Sequence, residues 1–250
     1  MLKKIFFLFT FFLFTSIDLT ASENIPRLLI KIPTRSRPKQ FFEFLNLYFE
    51  KLSKEIPYHF LISCDIDDST MNNPKVIEIL DKFPHLTYTF SRNRSKIEAY
   101  NKDIDKYIDQ FDILIVTSDD MEPVVDKFDE IIVQEMLTHF PDFDGVLNFS
   151  DGRDPKNFNT YPIMGINYYL AFGYVYYPEY KAFYCDNELA EVSRKLKKEK
   201  LYYQTLFLHR YPETEKAQSE KLYVKNMKFW QDDERLYKQR KINNFFITYS

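Results

Sequence analysis

"FDILIVTSDDMEP" (residues 111–123) decides the fold. A short unbroken apolar run, "DILIVT" (112–117), ends in two adjacent carboxylates, Asp119 and Asp120. An apolar run of this length without alternation is the pattern of a strand covered on both faces, as in a parallel sheet flanked by helices. Two like charges at the end of a buried strand repel, and burial strengthens the repulsion. Something positive has to sit against them.

Upstream of this run, strands and helices alternate. "RLLIKI" (27–32), "YHFLIS" (58–63) and "LTYTF" (86–90) read as strands. Between them "PKQFFEFLNLYFEKL" (38–52) places Phe41, Phe42, Leu45, Phe49 and Leu52 on one helical face. "NPKVIEILDKF" (73–83) is a helix with an early Pro, and "SKIEAYNKDIDKYI" (95–108) is the helix that leads into 112–117. This β-α-β-α order predicts a mostly parallel central sheet flanked by helices, in an α/β Rossmann-like domain. Downstream, "DEIIVQEMLTHF" (129–140) reads as a helix, "GVLNFS" (145–150) as a strand and "LFLHRYP" (206–212) as a strand ending in His209. The tail 219–241 reads as helical, with Trp230 as its anchor.

In open parallel sheets, ligands bind beyond the carboxyl ends of the strands. The residues there are Thr34-Arg35-Ser36-Arg37, Cys64-Asp65-Ile66-Asp67-Asp68, Ser91-Arg92-Asn93-Arg94 with Lys96, and Ser118-Asp119-Asp120. Bases follow strands one and three; acids follow two and four. That composition suits an anionic ligand bridged to carboxylates by a divalent cation, and equally a set of solvated loop tips.

Other chemistries are excluded. The chain has only four glycines, Gly145, Gly152, Gly165 and Gly173, so no Gly-rich phosphate loop follows the first strand. The histidines, His59, His85, His139 and His209, form no zinc spacing. With 34 basic and 37 acidic residues the net charge is −3, without the basic footprint of a nucleic-acid binder. Cys64 and Cys185 read as two partly buried thiols rather than a disulfide framework.

The first 22 residues, "MLKKIFFLFTFFLFTSIDLTAS", follow the grammar of a secretory signal: Lys3 and Lys4, an apolar core, then small residues. Export to the periplasm or the medium is the expectation. An uncleaved N-terminal anchor, and with it peripheral membrane association, is the alternative. Residues 23–250 would then be one domain of two lobes, 23–123 and 124–250.

Three groups carry candidate chemistry. Asp119 and Asp120 could chelate Mg²⁺ or Mn²⁺, or cap a turn. Asp186 and Glu188, in "CDNEL", could remove a proton from an acceptor hydroxyl, or simply favour a helix N-terminus. His209 could be a packed residue, or a further metal ligand favouring Mn²⁺.

Taken in order, "KIPTRSRP", "SCDIDDSTMN", "SKIEAYN", "LIVTSDDMEP", "PIMGINYYLAFGYVYYPEY", "YCDNELAEV" and "HRYP" resemble the GT-A glycosyltransferases, in particular the family 2-like inverting enzymes, over about 27–240. The resemblance implies a single GT-A domain that transfers a sugar from a nucleoside diphosphate sugar, UDP favoured, to a glycan or other hydroxyl. Thr34, Arg35 and Arg37 would hold the nucleotide, with Asp65 on the base and Lys96 and Asn101 as further contacts. Ser118-Asp119-Asp120 is similar to the family's D-x-D-type motif, with Ser118 replacing its first acid. Asp119 would lie near the ribose, and Asp120 with His209 would hold Mn²⁺ or Mg²⁺. Asp186 or Glu188 would be the base, and Gly165 and Gly173 would shape the acceptor side.

Two rivals stand beside this reading. A secreted, non-catalytic glycan- or nucleotide-binding module or effector would keep the fold without turnover. A haloacid-dehalogenase-type phosphatase would use Asp65 as nucleophile and Asp67 as acid, within "FLISCDIDDST" (60–70).

Overall fold

The structure, a computed structural model, describes residues 25–153, 159–210 and 216–247. The expected signal at 1–22 lies outside them. The elements run β1 (Leu28–Thr34), α1 (Pro38–Lys51), β2 (Tyr58–Asp65), α2 (Pro74–Leu80), β3 (Leu86–Ser91), α3 (Lys96–Asn101), a 3₁₀ turn (Ile104–Gln110), β4 (Ile113–Val116) and β5 (Met121–Pro123). Then come α4 (Phe128–His139), β6 (Val146–Ser150), β7 (Ile163–Gly165), α5 (Ile166–Phe172), α6 (Cys185–Lys195), β8 (Glu199–Thr205), β9 (Phe207–His209), α7 (Lys216–Met227) and α8 (Trp230–Ile242).

Seven strands form the central sheet in the order β3-β2-β1-β4-β7-β6-β8. Strands β3, β2, β1 and β4 are parallel, β7 runs against β4 and β6, and β8 returns parallel to β6. The α/β, mostly parallel architecture expected from the sequence is the one observed.

Alternation along β1 sorts the helices onto two faces. Leu28, Ile30 and Ile32 pack with Phe41, Leu45 and Tyr48 of α1 and with α2 and α4. Leu29 faces the other way, among Ile97 and Tyr100 of α3, Tyr168 of α5 and Leu189 of α6. Lys31 shares that second face and is fully buried, donating to Ser63 Oγ and, at 2.7 Å, to the Lys102 carbonyl. Burial pushes its amine down to about 7.

Several boundaries differ from the sequence reading. The buried stripe of α1 is Gln40, Phe41, Phe44, Leu45 and Tyr48; Phe42 and Phe49 pack only partly. Tyr48 wins its place because its hydroxyl finds partners in Thr117 Oγ1 (2.9 Å) and the Met121 carbonyl (3.2 Å). The helix expected over 95–108 is split: Asp103 takes a left-handed φ of 64°, and the chain continues as the 3₁₀ turn. The tail is two helices, broken at Lys228-Phe229. Asp233 of α8 accepts the backbone N–H groups of Lys181 (3.0 Å), Ala182 (2.8 Å) and Phe183 (2.9 Å), which fastens the tail to the segment entering α6. Cys64 and Cys185 are free and buried. Among the described residues, no helix is long and apolar enough to cross a membrane.

Gly165 ends β7 where the backbone of Phe143 comes closest. A Cβ there would lie 2.1 Å from the Phe143 carbonyl oxygen. Gly173 is the left-handed C-cap of α5, with φ 72°. Gly165→Ala therefore forces two backbone segments apart. The expected cost is about 3 kcal/mol, read as a lower urea midpoint at unchanged m-value.

Candidate active site

The strand order reverses direction beside β1: β2 follows on one side and β4 lies on the other. Switch points of this kind open a crevice at the carboxyl ends of the strands. Here the crevice is a cleft of about 1190 Å³, lined on its charged side by Thr34, Arg35, Arg37, Asp65, Lys96, Asp119, Asp120 and His209. Eight of the eleven residues expected to form the site thus converge on one concavity.

Its floor is built by loops that hold one another. Ser36 adopts a left-handed φ of 64°, and its N–H donates to Asp68 Oδ2 at 2.7 Å. Asp68 also accepts from Thr70 Oγ1 at 2.7 Å, so the loop after β2 fixes the loop after β1. Arg35 and Arg37 flank that pinned residue. Arg35 bridges Asp65 and Asp67, 2.7 Å from Asp67 Oδ1, and Asn93 Nδ2 donates to Asp65 Oδ1 at 2.7 Å.

The positive partner of the acidic pair is Arg37. Its Nη2 donates to Asp119 Oδ1, and its Nη1 lies 3.3 Å from Asp120 Oδ2. Thr34 Oγ1 donates to Asp119 Oδ2 at 2.7 Å, and Ser118 Oγ to Asp120 Oδ1. The two carboxyls diverge. Burial pushes Asp119, only 3% exposed, upward despite Arg37. Burial acts upward on Asp120 as well, but His209, Arg37 and Ser118 together hold it well below the usual carboxylate range.

His209 arrives from far along the chain. Strand β9 pairs antiparallel with β5, placing His209 opposite Met121, and the Arg210 N–H donates to the Asp120 carbonyl at 2.9 Å. His209 Nε2 is 3.7 Å from Asp120 Oδ2, and its Nδ1 is 3.5 Å from Asp151 Oδ2. Burial lowers the imidazole's pKa, but the two carboxylates outweigh it and the net shift is upward.

Asp151 was not foreseen from the sequence. It follows β6, an element that the sequence did place at 145–150, and the strand-end rule applied to that strand would have found it. It is buried, and accepts from the Arg153 N–H (2.9 Å) and Thr160 Oγ1 (3.2 Å). Against the upward push of burial, His209 and these donors bring its carboxyl down to about 2.

Three expected site residues lie outside the cleft lining. Asn101 is a backbone clamp: its Oδ1 accepts from Val175 N (3.0 Å) and Tyr176 N (3.1 Å), while its Nδ2 donates to the Tyr176 carbonyl (2.7 Å). With both ends of the amide engaged, it is not disposed to contact a nucleotide. Glu188 is buried in a bidentate pair with Arg240 at 2.8 Å and accepts from Tyr180 Oη at 2.8 Å, beside a separate cavity of about 20 Å³. It is a structural ion pair, so of the two candidate bases only Asp186 keeps a half-buried side chain. Asp186 Oδ1 accepts from Asn187 N at 2.9 Å. Burial raises its carboxyl, against the opposing charge of cleft-lining Lys96. Asp65 and Asp67, the nucleophile and acid of the phosphatase reading, both pair with the Arg35 guanidinium.

No family model matches the sequence, and no curated protein does. Solved structures do. The mannosyltransferase PcManGT from Pyrobaculum calidifontis, in complex with GDP-Man and Mn²⁺, superposes with a TM-score of 0.58 at 12% identity, over 76% of this chain and 58% of that one. This chain has the GT-A fold. S. aureus TarS 1-349 matches with a TM-score of 0.52 at 14% identity, over 74% of this chain and 61% of that chain. Its complex with UDP-GlcNAc gives 0.51 at 14% identity, over 76% and 60%. The chain spans about three-fifths of the length of these GT-A structures.

Two outcomes follow from this geometry. Glu188→Ala leaves the buried Arg240 guanidinium without its carboxylate partner, held by the Phe245 carbonyl and the Tyr177 ring, and is expected to lower unfolding stability by roughly 3–5 kcal/mol in chemical denaturation. Asp151 is ionised in the fold down to about 2. Its contribution is therefore complete above the unfolded value near ~4 and disappears as pH falls from there toward the folded value. Asp151→Asn should melt below the parent at pH 7, the gap closing as the pH approaches the folded value.

Proposed function

We propose that this chain is an inverting glycosyltransferase that moves a sugar from a nucleoside diphosphate sugar to an acceptor hydroxyl, using Mn²⁺ or Mg²⁺. The observation carrying this is the convergence of cations and carboxylates on one cleft at the β1/β4 switch point of a GT-A fold. The solved relatives in complex with GDP-Man and with UDP-GlcNAc support a nucleotide-sugar donor.

The donor set at the cleft fits a divalent ion. Among the described residues no three His, Cys, Asp or Glu side chains are grouped to hold a metal. Asp120 Oδ2 and His209 Nε2, however, are 3.7 Å apart with both side chains reaching the cleft. Sites for such ions beside phosphates use one or two protein ligands and take the remainder from the phosphates and water. A mixed oxygen and imidazole set leans toward Mn²⁺. When bound, the ion supplies positive charge next to the departing diphosphate.

The chain's own residues do the rest. Arg35, Arg37 and Lys96 supply positive charge where the diphosphate gains negative charge, inside a walled cleft where such charges act strongly. Asp65 and Asn93 flank the base end, and Asp119 lies beside the ribose. Asp186 takes the proton from the acceptor hydroxyl as that oxygen attacks the anomeric carbon. Its raised carboxyl is a stronger base than an exposed aspartate. The nucleotide half is 23–123 and the acceptor half 124–250. The reading includes export through residues 1–22.

A thermal-shift series with UDP and GDP, each with and without Mn²⁺, tests this. The matching nucleotide at about one hundred times its dissociation constant stabilises the fold by about 2.7 kcal/mol. The expected result is a rise in Tm that needs both nucleotide and ion and is lost in Asp120→Ala. Asp186→Asn should keep that rise while turnover of the nucleotide sugar drops by roughly 10²–10⁴. A rise without any turnover in the parent protein would instead favour a pure binding module.

A further inference from the structure

A single oxygen atom, Asp120 Oδ2, is claimed twice. Arg37 Nη1 lies 3.3 Å from it, and His209 Nε2 faces the same atom at 3.7 Å. The other oxygen of that carboxylate, Oδ1, already accepts from Ser118 Oγ. An ion held by Asp120 and His209 would have to approach this oxygen, where the guanidinium stands. The Arg37 side chain is 12% exposed, tied down by Asp119 and by its place at the start of α1. A divalent ion and a guanidinium on one carboxylate oxygen repel, and in a mostly buried site that repulsion is weakly screened.

We propose that Arg37 is a resident counterion, which a divalent cation must displace from Asp120 Oδ2, and that the donor's diphosphate is what receives the displaced guanidinium. This rests on the glycosyltransferase reading above. A planar guanidinium matches phosphate oxygens in the two-pronged manner it uses on carboxylates. The exchange makes ion and nucleotide bind as a set. The ion alone has to break the Arg37 pair with no new partner for Arg37. With a diphosphate present, the same movement ends in a new charge-assisted contact. Thermodynamic reciprocity then requires the ion to raise nucleotide affinity by the same factor as the nucleotide raises ion affinity. Arg37 would thereby keep the acidic pair neutralised and the site closed to stray cations until a donor arrives.

Mn²⁺ affinity, read from the free-ion EPR signal, tests this with three proteins: parent, Arg37→Gln and Arg37→Lys, each with and without UDP. In the absence of UDP, Arg37→Gln is expected to bind Mn²⁺ at least about tenfold tighter than the parent. UDP should raise the parent's Mn²⁺ affinity by a larger factor than that of Arg37→Gln. Arg37→Lys keeps a cation beside Asp119, so the fold is protected, but it loses the two-pronged bridge. It should bind Mn²⁺ alone about threefold tighter than the parent, and it carries the test if Arg37→Gln does not fold, as judged by circular dichroism. If folded Arg37 variants bind the ion no better than the parent, while the parent binds Mn²⁺ with UDP, the Arg37 exchange is wrong and the metal assignment stands. If the parent binds no Mn²⁺ even with UDP, both fall together.

Discussion

The ion pair of Arg37 with Asp119 and Asp120 is the constraint around which the molecule is arranged. Two neighbouring carboxylates at the end of a strand buried on both faces are unfavourable twice over, through desolvation and through mutual repulsion. Their partners come from three stretches of chain: Thr34 and Arg37 at and just after the end of β1, Ser118 within the motif, and His209 at the end of β9. Each of those contacts fixes one loop relative to another, and together they fix the mouth of the crevice. The same asymmetry separates the two acids. Asp119 is the enclosed one, pushed toward neutrality, and Asp120 is the ionised one that faces the cleft with His209.

What was legible in the sequence follows how local the determining forces are. Strands β1, β2 and β4 are short apolar runs, and β3 a Thr- and aromatic-rich one, between helical patterns, so both their existence and their parallel arrangement could be read directly. The residues at their ends could then be listed without a structure. Strand β8 escaped notice because "EKLYYQT" lies at the sheet edge, with Tyr203 74% exposed and no continuous apolar signal. β5 and β7, at three residues each, are defined by their partners rather than by their own composition. The break at Asp103 likewise has no Gly or Pro to announce it.

The fates of Asp186 and Glu188 show the same limit within one helix. Both sit in the first turn of α6, where the dipole favours a carboxylate. Two residues advance a helix by about 200°, so the side chains leave on nearly opposite sides. Glu188 turns inward, toward Arg240, which lies on α8 and 52 residues away in sequence. No local pattern encodes that meeting. Asn101 is similar: its amide serves a backbone segment 74 and 75 residues further on. Asp151 differs, since the strand that presents it is legible and the residue directly follows that strand's end.

The small β5–β9 ribbon has a consequence for how the protein is made. Glu122 and Arg210, paired across it, are separated by 88 residues. The acidic motif leaves the ribosome near the middle of the chain, yet His209 cannot reach it until that whole interval, including β6, β7 and α6, has been synthesised. Contacts of such large sequence separation form late, because the intervening loop must be closed first. The ordering delays completion of the cleft. A nascent or truncated chain ending before β9 would carry the loops after β1, β2 and β4 without the imidazole that faces Asp120. It is therefore born incomplete, and becomes competent only when its last third has docked.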